Sequence, residues 1–247
     1  MDSFNPFSLE GKTILVTGAS SGIGRAVAIA CAKMGATVVL NGRNRERLAA
    51  TDAEIGSDGT VIAAGDLTDS EQLEQMMAAT PKLDGVVHCA GIWHNALCKQ
   101  ITAEDVDSVM GVNFRAPVLL QTELLKQKRL NKGASIVFIT SIASESPAVG
   151  NAVYSASKGA LVSYANCLMK ELAPRRIRVN CISPAMVWTD LVYHGGVTEE
   201  ELREDEQTYP LKRYGTPDDV AHLAVYMLSD AASWMTGSVV KITGGFR

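Results

Sequence analysis

The sequence has few of the features that mark secreted, membrane-embedded or nucleic-acid-binding proteins. Its 247 residues contain no stretch approaching the ~20 apolar residues of a membrane span. Residues 1–9 show no basic region followed by an apolar run, which a secretory signal would have. The formal net charge of −4 is small and spread along the chain, so neither nucleic acid nor a membrane is expected as a partner. We therefore expect a soluble, cytoplasmic protein.

Cysteine is also scarce. The five cysteines are dispersed and odd in number, and no C-x-x-C pair occurs. This pattern favours free thiols in a reducing compartment over disulfides. No cluster of His, Cys and Asp has the spacing of metal ligands, so we predict no metal site.

Linkers, repeats and low-complexity segments are absent as well, and we therefore expect residues 1–247 to form one domain. Short apolar runs predict strands at residues 13–17, 37–40, 61–63, 85–88, 135–140, 178–183 and 238–243. Helical patterns lie between them at residues 24–34, 44–55, 70–79, 103–129, 154–172 and 217–228. This alternation predicts an α/β fold, with a single Rossmann-type doubly wound parallel sheet of about seven strands and helices on both faces.

Residues 185–216 depart from the alternation. The stretch lies between a strand and a helix and contains the acidic run 199–206. A loop or helical flap that covers the substrate is favoured over a disordered segment, because long loops in compact domains are commonly functional.

A glycine-rich segment follows the first predicted strand. Its glycines have the spacing G-x-x-x-G-x-G and open the first predicted helix. Such glycines let the backbone approach a pyrophosphate, and the helix N-terminus offers free N–H groups and a positive dipole end. The alternative is a turn without a ligand, which the position after the first strand disfavours. The cofactor-binding candidates here are Gly18, Ser20, Ser21, Gly22, Ile23 and Gly24.

The end of the second strand indicates which dinucleotide binds. A carboxylate there would bind the ribose 2′-hydroxyl of NAD, whereas an arginine would accept the 2′-phosphate of NADP. The sequence Leu40-Asn41-Gly42-Arg43 offers an arginine and no acid, which favours NADP(H). Arg43 is the leading candidate for this contact, Arg45 and Arg47 are alternates, and a solvated turn arginine is the other interpretation.

Tyr154 and Lys158 form the clearest candidate catalytic pair. A separation of four on a helix places two side chains on one face. A nearby ammonium would stabilise the phenolate and lower the tyrosine pKa from about 10 toward neutral pH. The phenol would then be suited to general acid–base chemistry. Alone, the pair would also fit a solvated helix face.

Taken together, these motifs resemble the short-chain dehydrogenase/reductases. The residues that carry the resemblance are, in order, 17–24, Asp66, Leu67, Cys89, Ala90, Gly91, Asn113, Ser141, Tyr154, Lys158, Ser183, Pro184, 213–220, 229–230, 236–237 and 244–245. The resemblance runs from Leu9 to the end of the chain and is greatest to the 3-oxoacyl-(acyl carrier protein) reductases. It implies an NADPH-dependent reductase of ketones with a place in fatty acid synthesis, assembled as a homotetramer.

The resemblance also implies roles for single residues. Asp66 would bond the adenine with Leu67 beside it, and Ala90 and Gly91 would lie against a cofactor ribose. Pro184, Val187 and Thr189 would lie along the nicotinamide. The family's Asn-Asn-Ala-Gly is His88-Cys89-Ala90-Gly91 here, so one side-chain contact to the cofactor is lost at Cys89, and its Pro-Gly is Pro184-Ala185.

Carbonyl reduction requires a proton and hydrogen bonds at the carbonyl oxygen. Tyr154 is the predicted proton donor. Ser141 follows a strand and would hold the substrate oxygen at the carboxyl edge of the sheet. By resemblance, Lys158 also bonds the nicotinamide ribose, and Asn113 holds a water that relays protons to Lys158. From the residues alone, a capping role for Ser141 and a helix-backbone role for Asn113 stay open.

The sequence says least about the substrate. The predicted pocket wall is Trp93, His94, Val149, Met186, Trp188 and Tyr193. For His94, a wall or surface position is favoured over acid–base catalysis, because Tyr154 fills that role.

Two partner classes fit the sequence. Acyl carrier protein is acidic and would need basic residues near the pocket, for which the candidates are Lys126, Lys128, Arg129 and Lys132, or Arg175 and Arg176. Basic residues are also common at helix ends for dipole reasons. A sugar, polyol, steroid or other small alcohol is the alternative substrate, and a non-catalytic NADP-binding regulator is the remote alternative.

Overall fold

A computed structural model describes residues 4–56, 59–193 and 197–246 of the chain. Within these residues, seven parallel strands form one sheet in the order β3-β2-β1-β4-β5-β6-β7. The strands are β1 (Thr13–Val16), β2 (Thr37–Leu40), β3 (Thr60–Ile62), β4 (Leu83–His88), β5 (Leu130–Ile139), β6 (Arg178–Pro184) and β7 (Val239–Ile242). The predicted fold class is confirmed.

Helices cover both faces of the sheet. They are α1 (Gly22–Lys33), α2 (Arg45–Ile55), α3 (Ser70–Ala79), α4 (Ala103–Met110), α5 (Ala116–Lys126), α6 (Ala152–Leu172), α7 (Asp190–Tyr193), α8 (Glu199–Glu206) and α9 (Pro217–Leu228). Apolar side chains of α1, α2 and α9 form one buried cluster with the strands, and those of α3, α5 and α6 form a second. A sheet buried on both faces explains why its strands are continuous apolar runs.

The predicted strand bounds are close for the interior strands and wrong at the start of β5. That strand begins at Leu130, five residues before the expected position, because Leu130 pairs with Leu83 ahead of a register shift in β4. The polar residues after Leu130 hide this pairing in the sequence.

The single helix predicted over residues 103–129 is wrong. Helix α4 ends at Met110, a π-helical turn occupies Gly111–Arg115, and α5 begins at Ala116. The chain then leaves the helical conformation at Lys128, whose φ is 53°. Apolar spacing alone cannot reveal a π turn, because one extra residue shifts the pattern by less than a third of a turn.

The segment predicted as a flap is partly helical. Its described residues form α7 and α8 and a small apolar cluster built on Leu202, Tyr209 and Tyr214. Residues 194–196 of the predicted flap lie outside the described residues. In the part of the chain that the structure describes, no helix has the length and apolar character needed to cross a membrane.

Candidate functional site

A cleft of about 380 Å³ opens at the carboxyl ends of the strands, where the strand order reverses between β1 and β4. Ligands of open α/β sheets bind at this kind of position. The predicted cofactor residues that line the cleft are Gly18, Ser20, Ser21, Gly22, Ile23, Gly24, Arg43, Asp66, Leu67, Cys89, Ala90, Gly91 and Thr189. Pro184 is the buried last residue of β6, and Val187 is buried beside Gly215.

The glycine turn has the geometry that a phosphate group needs. Gly18 has a φ of +68°, and a Cβ there would lie 3.0 Å from the Ala90 backbone. A Cβ on Gly24 would lie 2.3 Å from the Gly18 carbonyl oxygen. At the N-cap of α1, the Ser21 side chain makes no capping hydrogen bond within the described residues. The first N–H groups of α1 therefore face the cleft as donors for an anion.

Thr17 holds the loop that lines one side of the cleft, a role that was not predicted from the sequence. Its hydroxyl accepts hydrogen bonds from the backbone N–H of Cys89, at 3.0 Å, and of Ala90, at 3.1 Å. These bonds tie the end of β1 to the loop after β4. A threonine that directly precedes the glycine turn is the signal that could have revealed it. Burial raises the pKa of the Cys89 thiol to about 12, so the thiol is neutral.

Two arginines border the other end of the cleft. The Arg43 guanidinium lies 3.7 Å from an Asp66 carboxylate oxygen, and the Arg47 guanidinium lies 3.7 Å from Asp190. Burial favours a higher pKa for Asp66, but hydrogen bonds from Thr68 and the charge of Arg43 lower the pKa overall. Both arginine side chains are mostly exposed, at 71% and 61%, so they can turn toward an anionic ligand.

Tyr154 and Lys158 lie on one face of α6, as their spacing predicted. Lys158 Nζ is 5.7 Å from the centre of the Tyr154 ring and donates a 3.0 Å hydrogen bond to the Ile139 carbonyl. Burial lowers the pKa of Lys158 to about 8. A Cβ on Gly91 would lie 3.3 Å from the Lys158 Nζ, so the ammonium is buried behind Gly91, which lines the cleft.

The expected direction of the Tyr154 pKa is wrong for this structure. Burial raises the pKa of the phenol, and a hydrogen bond with the Ser141 side chain opposes the rise only in part. The spacing argument counted the charge of Lys158 but could not count the loss of solvent, which disfavours the phenolate. The phenol is therefore neutral at neutral pH.

Ser141 follows the end of β5 with Thr140 between them, and its hydroxyl lowers the pKa of Tyr154 in part. The Ser141 hydroxyl also accepts a 3.1 Å hydrogen bond from the Ala143 N–H. The capping role that the residue type suggested is thus present, together with a contact to the candidate proton donor.

Asn113 is fully buried in the π turn between α4 and α5. Its amide oxygen accepts a 2.8 Å bond from the Ile92 N–H, and its amide nitrogen donates to the Ile92 carbonyl at 2.9 Å. It also donates to Ser157 at 3.0 Å, and Ser157 donates to the Tyr154 carbonyl at 2.6 Å. Asn113 therefore joins the loop after β4 to the helix that carries Tyr154. The sequence did not single out Ser157.

The predicted pocket-wall residues are not all brought together. The Trp93 indole donates a 2.8 Å bond to Asn151, and His94 pairs with Asp105 at 2.9 Å. Both lie on the loop after β4, and Val149 is 83% exposed. Met186, Trp188 and Tyr193 belong instead to the helical segment after β6.

Trp188 packs inside that segment, with its ring 5.1 Å from the ring of Tyr214 and 5.9 Å from that of Tyr193. Its position therefore gives it a role in holding the segment together. The cleft, the Ser141–Tyr154 contact and the nearby ammonium are together suited to proton transfer beside a bound dinucleotide.

Comparisons with known proteins agree with this geometry. A family model described as enoyl-(acyl carrier protein) reductase matches residues 18–247. The 3-oxoacyl-[acyl-carrier-protein] reductase of Rickettsia conorii is 35% identical over 237 residues, covering 96% of this chain and 97% of that protein. The L-xylulose reductase of Caenorhabditis elegans is 36% identical over 97% of each chain. The crystal structure of an angucycline C-6 ketoreductase with bound NADP matches with a TM-score of 0.89 at 26% identity, over 96% of both chains.

Proposed function

The chain belongs to the short-chain dehydrogenase/reductase family, and on that premise we propose that it is an NADPH-dependent enzyme that reduces a ketone to a secondary alcohol. The observation that carries this proposal is the position of the Lys158 ammonium, 5.7 Å from the centre of the Tyr154 ring and close to Gly91, which lines the dinucleotide cleft. A proton donor, a second hydroxyl and a cation next to that cleft are the groups that carbonyl reduction needs.

A bound nicotinamide cofactor supplies the hydride that adds to the carbonyl carbon. Tyr154 supplies the proton: its O–H bond breaks as a new O–H bond forms on the substrate oxygen. The raised pKa of Tyr154 keeps the phenol protonated at neutral pH, which is the form that can donate. Lys158 is protonated below its pKa of about 8, and its ammonium stabilises the phenolate that remains.

Ser141 donates a hydrogen bond to the substrate oxygen as that oxygen gains negative charge. Asn113 is a positioning residue, because its hydrogen bonds to Ile92 and Ser157 fix the backbone around the proton donor. The Asn113 amide oxygen and the Lys158 Nζ both lie close to Gly91, since a Cβ built on Gly91 would be 3.3 Å from each. We therefore propose that the water that relays protons to Lys158 lies on the side of the ammonium that faces Asn113.

The cofactor we propose is NADP(H), held at its adenine end by Arg43. The exposed guanidinium lies at the cleft border, where a ribose 2′-phosphate is expected. Asp66 and Leu67 would hold the adenine, and the glycine turn would hold the pyrophosphate. The NADP bound to the angucycline ketoreductase supports this choice by likeness.

A 3-oxoacyl thioester is the first substrate candidate, because the Rickettsia relative is named for that substrate. The two candidate basic patches lie far from the site in the same chain. Residues 126–132 and 175–176 border the starts of β5 and β6, whereas Ser141 follows the end of β5. A ten-residue strand separates its ends by roughly 30 Å. A carrier protein on either patch would not reach Tyr154 of that chain directly.

A sugar or polyol is the second candidate. The L-xylulose reductase is as similar to this chain as the thioester reductase is, and the helix α8 carries six acidic residues out of eight. If residues 185–216 cover the substrate as proposed, this acidic helix would repel an acidic carrier protein and would tolerate a neutral polyol.

The decisive experiment measures NADPH oxidation with an acetoacetyl thioester and, in parallel, with a panel of ketoses, and it measures NADP+ reduction with a panel of polyols. NADH and the Tyr154→Phe variant are the controls. We expect turnover with NADPH that falls by about 10³-fold in Tyr154→Phe, since a general acid contributes factors of this size. Unchanged turnover in the variant would remove Tyr154 from the mechanism. Tight NADPH binding without turnover of any substrate would favour the regulator, and failure to bind either dinucleotide would refute the proposal.

The proposed assembly is a cytoplasmic homotetramer, as the family resemblance implies. Exposed apolar side chains on α4 and α5, Val106 and Leu119, are available for contacts between chains. Sedimentation velocity of the purified protein tests this proposal, with four times the chain mass as the expected result and a monomer as the contradicting one.

A further inference from the structure

Glu206 is a buried carboxylate at the end of α8. One of its oxygens accepts a 2.7 Å hydrogen bond from the Trp188 indole N–H and a 3.0 Å bond from the Tyr214 backbone N–H. The other oxygen pairs with Arg203 at 3.1 Å. The Arg203 guanidinium also stacks over the Trp188 ring, 4.4 Å from its centre.

Trp188 belongs to the short stretch that leads from β6 to the cleft. Its backbone N–H donates to the Gly215 carbonyl at 2.9 Å, and the Gly215 N–H donates to the Met186 carbonyl at 3.0 Å. Thr189 follows at the cleft wall, close enough that a Cβ on Gly22 would lie 3.2 Å from its methyl group. The pairing of residues 186–188 with 214–215 therefore sets where Thr189 stands.

We propose that Glu206 is a positioning residue that holds Trp188 and Tyr214 together and thereby fixes Thr189 against the nicotinamide end of the cleft. This inference rests on the proposed function, because it takes the cleft as the cofactor site. One carboxylate oxygen of Glu206 accepts from Trp188 in one segment and from Tyr214 in the other. Loss of the carboxylate therefore removes a hydrogen bond from each segment.

Burying a carboxylate costs free energy of folding, because the charge loses its hydration. Burial favours a higher pKa for Glu206, yet the bonds from Tyr214, Trp188 and Arg203 lower the pKa overall. Both carboxylate oxygens of Glu206 accept from a donor, as a buried charge requires. An apolar side chain could fill the same volume but could not bond the Tyr214 N–H and the indole together.

The test compares Glu206→Leu and Glu206→Gln with Glu204→Gln as the matched control. Glu204 is exposed on the same helix, and its side chain makes no hydrogen bond with any described residue. Binding is measured on the full chain as the Kd for NADPH, and turnover as the kcat and KM for the carbonyl substrate. The hydrogen exchange of the Trp188 and Gly215 amides is measured without cofactor.

Glu206→Leu should raise the Kd for NADPH about tenfold, because hydrogen bonds to a charged group are lost. The kcat should stay within about threefold, since Ser141, Tyr154 and Lys158 stand on other elements. Glu206→Gln keeps an acceptor oxygen and should restore most of the affinity, and exchange at both amides should speed up only in Glu206→Leu. If Glu206→Leu does not fold, Trp188→Phe removes the indole donor while keeping a smaller aromatic ring, and it should raise the Kd for NADPH several-fold.

A Glu206→Leu variant with the Kd and amide exchange of the Glu204→Gln control would overturn the inference, whatever its melting temperature. A fall in kcat at unchanged Kd would overturn it as well. If the unaltered chain binds neither NADPH nor NADH, the proposed function fails. The exchange rates of the two amides then still decide whether Glu206 holds the pairing.

Discussion

Lys158 Nζ lies 5.7 Å from the centre of the Tyr154 ring and donates its hydrogen bond to the Ile139 carbonyl at 3.0 Å. The buried end of β5 thus holds the ammonium beside the proton donor. The same burial lowers the pKa of Lys158 to about 8, so the group that assists proton transfer also weakens the fold at neutral pH.

Lys158→Met should stabilise the cofactor-free protein while abolishing turnover. The folded state binds the Lys158 proton less tightly than the unfolded chain does, so the native state is penalised below pH 8. The penalty disappears as the pH rises from about 8 toward the ordinary lysine pKa of 10.5. We expect a gain of about 2 kcal/mol in the free energy of unfolding at pH 7, after allowing for the lost hydrogen bond.

Urea denaturation measures this difference. Lys170→Met is the control, because Lys170 is exposed in the last turn of the same helix and should change stability by about 0.5 kcal/mol or less. A loss of stability in Lys158→Met would contradict the buried-charge interpretation.

The pH dependence of turnover should follow the same group. Lys158 assists only in its protonated form, so activity is present below its pKa and falls as the pH rises through about 8. We expect kcat/KM to decline about tenfold per pH unit above that point. Lys158→Arg, which stays protonated, should remove the decline from whatever activity it retains. A wild-type profile that is flat to high pH would show that the Lys158 charge is not needed.

Gly24→Ala should damage both the fold and cofactor binding. The added Cβ would lie 2.3 Å from the Gly18 carbonyl oxygen, which is backbone and cannot move aside cheaply. We expect a loss of about 3 kcal/mol in stability, measured by thermal denaturation, with NADPH affinity below detection. Gly111→Ala is the matched control, since a Cβ there would meet no atom of the described residues within 4 Å outside its own helix and chain neighbours. Equal behaviour of the two variants would exclude the close approach as the reason for Gly24.

Arg43→Gln should change the choice between dinucleotides. Loss of a guanidinium that contacts a phosphate should raise the Kd for NADPH about tenfold or more and leave the Kd for NADH nearly unchanged. Arg45→Gln is the control, because Arg45 is exposed but is absent from the residues that line the cleft. An equal effect on both dinucleotides would place Arg43 away from the 2′-phosphate.

The fold could be predicted because its strands are buried on both faces and therefore appear as uninterrupted apolar runs. Residues 37–40, 70–79 and 217–228 have the bounds that the sequence predicted. The π turn at Gly111–Arg115 could not be predicted, since it changes backbone hydrogen bonding while leaving the apolar spacing nearly intact.

The sequence could predict which residues form the candidate site, but it could predict their pKa values only in part. The spacing of Tyr154 and Lys158 placed both on one helix face, but the Tyr154 pKa depends on burial by distant elements. The pocket wall stays a prediction. Trp188 is aromatic and follows a strand, yet its partners Glu206 and Tyr214 lie 18 and 26 residues away, and no local pattern indicates them.

The number of residues between α4 and α5 affects function, because Asn113 lies in the π turn between them. A π turn closes i→i+5 hydrogen bonds and so uses one residue more than an α-helical turn. Deleting a single residue from Gly111–Arg115 would let α4 and α5 join as one regular α-helix. Because the π turn holds its extra residue within about one turn, α4 and α5 would keep nearly the same phase, and only the turn around Asn113 would tighten. The π turn itself, and not only the identity of residue 113, would then decide whether an amide at this depth reaches Ile92 and Ser157.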